Sequence, residues 1–151
     1  MRALAARRLT EAQLWTRLGR QGFDGDEVRT AVEWCKAEGY VDDALFARLF
    51  VEGRTKAVGD ARLVAELVRR GIDREVAARS VARAESGQEA RLDVAVERLF
   101  ASRPHLGYPS AARALERLGF PAPAIYRRLR THAARFGPLG WTAEDCDSSF
   151  P

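Results

Sequence analysis

Three glycines frame this chain. Gly22, Gly71 and Gly119 each close a helix-like run, and they lie 49 and 48 residues apart. The residues around them match in kind. Leu14, Leu63 and Ala111 stand eight places before, and Leu18, Leu67 and Leu115 four places before. Phe23, Ile72 and Phe120 follow directly, and Val32, Val81 and Leu129 come ten places after. A fixed period of this length marks tandem supersecondary units, each needing a neighbour to bury its apolar stripe. The expected fold is all-α, an elongated modular array of three three-helix repeats.

Each repeat holds two short helices about its glycine. In the first, Thr10 and Gln13 make a capping box. That helix runs to about Gln21, and Gly22-Phe23-Asp24-Gly25 turns the chain. A helix over Asp26–Glu38 follows, with Val28, Ala31, Val32 and Cys35 inward. In the second repeat the helices run about Asp60–Arg70 and Arg74–Glu85. Leu63, Val64, Leu67 and Val68 form the stripe, Gly71 is the stop and Asp73 the cap. In the third, Pro109-Ser110 opens a helix ending near Leu118. Pro121 and Pro123 then lead into a helix carrying Ile125, Leu129, Ala133 and Phe136.

A longer helix precedes each pair. One is Asp43–Ala57, opened by Asp42-Asp43 and striped by Leu45, Phe46, Leu49 and Phe50. Another is Gln88–Ser102, with Leu92, Ala95, Val96 and Leu99 inward. Before the first pair only Ala3–Arg8 remains, so the first helix of the first repeat is expected to be truncated. The expected domains are residues 1–39, 40–86 and 87–137, followed by a flexible acidic tail over 138–151.

Net charge is +4, but Glu144, Asp145 and Asp147 concentrate acid in the tail, leaving +7 over residues 1–138. A basic body suits a polyanion or an acidic protein surface. Apart from Lys36 and Lys56 every basic residue is Arg, which can grip phosphate or carboxylate with two parallel bonds. The basic residues cluster. Arg69, Arg70 and Arg74 surround Gly71, and Arg62 lies seven before Arg69. Arg127, Arg128, Arg130 and Arg135 flank the stripe of the last helix. Of these, Arg62, Arg69, Arg70, Arg74, Arg127, Arg128 and Arg130 are the candidate contacts to a protein or DNA partner. A solvated polar face is the competing account, and Glu66 is spaced to pair with Arg70 at i, i+4.

Catalytic chemistry finds little support. His105 and His132 have no Ser or Cys partner by spacing, and no phosphate-binding loop or HExxH motif occurs. Asp42 and Asp43 read as capping residues, since neighbours on a helix diverge by about 100°. Cys35 and Cys146 read as free thiols. No cofactor or metal is expected. With no apolar run long enough to span a bilayer and no leader-like N-terminus, the expected location is the cytoplasm. Helix pairs about a glycine also admit a stand-alone helix-turn-helix DNA-binding reading, or a scaffold for some other protein.

The run Gly39-Tyr40-Val41-Asp42-Asp43, followed by Phe46-Ala47, then Gly59, Arg62-Leu63, Glu66-Leu67 and Gly71-Ile72, resembles the RecX family of recombinase regulators. The opening LAARRLTEAQLWTRLGRQGF is similar to that family's start, and the likeness spans about residues 3–136. The resemblance implies three three-helix repeats. It also implies a non-enzymatic protein that binds RecA and its filament on DNA, approaches single- and double-stranded DNA, and inhibits RecA's ATPase and strand exchange. Asp42, Asp43, Phe46 and Ala47 are assigned to folding rather than contact.

Overall fold

The computed structural model describes residues 8–54 and 56–137, and among them eight helices and no strand. These are α1 (Glu11–Arg20), α2 (Gly25–Ala37), α3 (Asp43–Glu52), α4 (Asp60–Arg69), α5 (Arg74–Ala82), α6 (Gln88–Ser102), α7 (Tyr108–Arg117) and α8 (Ala122–Phe136). The expected helix at 3–8 and the tail at 138–151 fall outside the described residues, apart from Arg8, which is not helical. The chain forms two compact units. One takes in the chain up to residue 55 and Leu63–Glu85; the other takes in Lys56–Arg62 and the chain from Ser86.

The caps follow from side chains read in the sequence. Thr10 closes its capping box with Gln13, and Asp24, read from the sequence only as part of a turn, closes a second with Glu27. Asp42 accepts from the Leu45 N–H at 2.8 Å, and Asp73 from the Glu75 N–H at 2.8 Å. Asp43 reaches further, accepting from the Glu11 N–H at the start of α1, 2.9 Å away. Adjacent aspartates thus cap two different helices, α3 and α1. Burial holds the Asp43 carboxyl above its ordinary pKa, against the lowering effect of that hydrogen bond.

In the first unit α1 packs on α2 and α3 packs on α5. Leu14, Val28, Val32, Cys35 and Val41 form one buried cluster. Ala47, Val51, Leu63, Leu67, Ile72, Ala77 and Val81 are buried as well. In the second unit α6, α7 and α8 pack on one another. Their cluster joins Leu92, Val96 and Phe100 to Ala111 and Leu115, and to Phe120, Ile125 and Leu129.

Several expectations need correction. The helix from Asp43 ends at Glu52, not Ala57, because Gly53 breaks it and Arg54 turns away to reach Glu66. Its buried line is Ala47 and Val51, while Leu45, Phe46 and Phe50 are half-buried and Leu49 is 39% exposed. Phe136, expected inward at the end of α8, is 64% exposed. Of the residues matched about the three glycines, Phe23 is exposed where Ile72 and Phe120 are buried.

Each unit contains a joint of the same design. In the first, the Gly71 turn lies on the start of α1. Thr10 donates its hydroxyl to the Arg70 carbonyl at 2.6 Å, and a Cβ on Gly71 would come within 2.1 Å of the Ala12 Cβ. In the second, the Gly119 turn lies on the start of α4. The Gly59 N–H donates to the Leu118 carbonyl at 2.9 Å, and a Cβ on Gly59 would meet the Gly119 oxygen at 2.0 Å. Thr10 and Gly59 both stand twelve places before a turn glycine, and Arg70 and Leu118 both stand one place before. The same carbonyl is therefore used at both joints.

Candidate interaction surface

The seven candidate arginines occupy different settings. Arg69 and Arg74 flank the Gly71 turn, exposed and without an acidic partner among the described residues. Arg70, between them, turns inward instead. Its guanidinium sits 4.7 Å from the centre of the Phe50 ring, and its Nε is buried with no acceptor. Arg54 also lies over Phe50, at 5.4 Å, and grips Glu66 with two bonds of 2.5 and 2.9 Å. Glu66, which spacing offered to Arg70, is thus held by Arg54 in a largely buried pair. Such a pair ties the loop after α3 to α4, because either charge left alone there would be strongly unfavourable.

The other four lie in the second unit. Arg62 donates to the Arg117 carbonyl at the end of α7, 2.8 Å away, and its Cβ crowds Gly119. Arg127 pairs with Glu89 at 3.1 Å and Arg128 with Asp93, both acids being on α6. Arg130 is exposed. The basic face of α8 is therefore partly neutralised by its own neighbour. Toward the end of α8, His132 stacks on Phe100 at 4.3 Å and approaches Phe136 at 4.6 Å. Burial, and then the nearby Arg128 charge, hold its pKa below the ordinary value.

A third basic feature was absent from the sequence candidates. Between α3 and α5 runs a groove of about 640 Å³, lined by Arg48, Arg79 and Arg83 over Ala44, Leu45 and Val76. Arg48 makes a loose pair with Glu52 at 4.0 Å, and Asp42 at the rim is committed to capping α3. Arg79 and Arg83 have no acidic partner among the described residues. The repeat carried the signal, since Arg79 stands 48 places before Arg127. Among the described residues no group of three His, Cys, Asp or Glu side chains could hold a metal ion, and no helix is long and apolar enough to cross a membrane.

Comparison with known proteins agrees with this architecture. Residues 42–80 match the family model described as RecX, second three-helix domain. The chain is 33% identical to the regulatory protein RecX of Amycolatopsis mediterranei, over 94% of this chain and 85% of that one. It is 34% identical to the regulatory protein RecX of Thermus thermophilus, over 80% of each chain. The crystal structure of RecX from Lactobacillus salivarius superposes with a TM-score of 0.76 at 16% identity, covering 86% of this chain and 89% of that one. That likeness speaks for the fold, and the two sequence relatives speak for descent: the chain belongs to the RecX family of regulatory proteins.

Proposed function

We propose that this protein binds the RecA recombinase filament on DNA and limits its ATP turnover and strand exchange. It acts by occupying surface, not by catalysis. Relatives aligned along most of the chain are named regulatory proteins. The observation that carries the reading is the Gly71 turn, where Arg69 and Arg74 stand exposed, without acidic partners among the described residues, on either side of a joint fixed against α1. A polymer of identical subunits presents its acidic groups at regular intervals. A repeat protein can meet such a surface with several weak contacts whose effects multiply once the first is made.

The stand-alone helix-turn-helix reading has less support. A groove-reading helix contacts bases through its N-terminal residues. The first turn of α2 holds Asp26 and Glu27, just after the capping Asp24, and that acidic end would be repelled by phosphates.

The test is RecA's ATPase on single-stranded DNA with the purified protein titrated in. Inhibition is expected. Replacing Arg69 and Arg74 together by Ala should weaken it several-fold, with an unchanged helical spectrum. ATP turnover indifferent to the wild-type protein would defeat the proposal. Equal inhibition by the variant would move the contact away from the Gly71 turn.

A further inference from the structure

The groove between α3 and α5 has a counterpart 48 residues on. Between α6 and α8 a groove of about 170 Å³ is lined by Leu92, Asp93, Ala124, Arg127, Arg128 and Thr131, with Glu89 at its edge. Shifted back by 48, these six positions become Ala44, Leu45, Val76, Arg79, Ser80 and Arg83, all of which line the first groove. The chain builds one groove twice.

The two copies differ in their acids. In the second, Glu89 and Asp93, four apart on α6, pair with Arg127 and Arg128 and close the space. In the first, the positions 48 places earlier are Val41, buried ahead of α3, and Leu45 in the groove floor, neither of them acidic. Arg79, the counterpart of Arg127, has no carboxylate partner among the described residues, and Arg83 adds a second such cation one turn on. The groove stays open at about 640 Å³, floored by Ala44, Leu45 and Val76.

We propose that the α3–α5 groove receives an acidic amphipathic helix from a protein partner. Its carboxylates, spaced four residues apart, would take the place that Glu89 and Asp93 hold in the other copy. The internal template sets that spacing. The apolar floor favours a peptide, whose own apolar face can cover Leu45 and Val76, over a phosphate backbone that has nothing to bury there. Arginine's planar fork suits carboxylates in this position. The inference stands apart from the recombinase reading, because it concerns the chemistry of the occupant whichever protein carries it.

The probe is a fluorescein-labelled helical peptide bearing Glu pairs four apart and a Leu stripe, titrated with full-length protein and followed by anisotropy. A control peptide has the same composition with each Glu pair moved two apart. The wild-type protein should bind the first peptide on the order of tenfold more tightly than the control, and less tightly as salt rises. Arg79→Gln with Arg83→Gln should remove most of that preference. Leu45→Glu, which removes no arginine but supplies an acid from inside, should do the same, with circular dichroism confirming that both variants fold. Equal binding of the two peptides would overturn the proposal. So would a single-stranded oligonucleotide that displaces the peptide with the same dependence on Arg79 and Arg83, or a peptide of residues 138–151 that does so, which would assign the groove to this chain's own tail.

Discussion

Gly71 and Gly22 share a backbone conformation, with φ of +86° and +90°, but differ in surroundings. At Gly22 an added Cβ meets nothing within 4 Å; at Gly71 it meets Ala12 at 2.1 Å. Gly22→Ala should therefore cost only the left-handed strain, about 1–2 kcal/mol. Gly71→Ala should cost roughly 3 kcal/mol or more, because close-packed atoms must also move. Urea unfolding of the two variants checks this, and equal losses would mean that the Gly71 joint contributes nothing beyond its turn. The Arg54–Glu66 pair gives a second residue-level test. Glu66→Gln leaves a mostly buried guanidinium without its counter-charge and should destabilise by roughly 2–4 kcal/mol, whereas Arg54→Met with Glu66→Leu should recover most of the loss. Neither partner could be assigned from spacing. Glu66 and Arg70 obey the i, i+4 rule, but the loop brings Arg54 to the carboxylate and Phe50 takes the Arg70 guanidinium.

At the scale of elements, helix starts were more legible than helix ends. Thr10, Asp42 and Asp73 each mark a start with a side chain that satisfies a local N–H, so the signal is complete within four residues. The end of α3 falls at Gly53, but the path beyond it is set by Arg54 meeting a distant acid, which the apolar stripe does not announce. The exposure of Leu49 and Phe136 escaped the pattern for a related reason: a stripe wider than its partner helix leaves its margin in water. Thr10 also serves two elements, capping α1 through the Gln13 N–H and donating to the Arg70 carbonyl. Thr10→Val should cost about 2 kcal/mol, one part cap and one part buried hydrogen bond. Thr10→Ser, which keeps both, should cost less, and thermal melts compare them. For α8, the depressed pKa of His132 makes packing on Phe100 depend on pH. That stability is present above the ordinary value of 6.5 and is lost as pH falls toward and through the lower folded value. Melting measured between pH 7.5 and 5 should drop for the wild type, and His132→Phe should flatten that part of the decline.

Over the whole molecule, the period of the turn glycines carried most of the fold, since it placed every described helix pair before any contact was known. The distribution of charge was less legible. Seven arginines read as one population separate into outward cations at Arg69, Arg74 and Arg130, an inward one at Arg70, a carbonyl-bound one at Arg62, and two bound by acids of α6. Linear order records where a charge sits along its helix, but its partner arrives from another helix 35 or 38 residues away. The α3–α5 groove could have been found by aligning repeats on acids as well as on glycines, because the informative difference is what one copy lacks.

The joints have a consequence for how such a chain can change through descent. Each accepts its hydrogen bond on a peptide carbonyl beside a turn glycine, atoms that substitutions at other positions leave untouched. Lineages can therefore overwrite nearly every outward letter, and with it the choice of partner, while the path of the backbone is inherited intact.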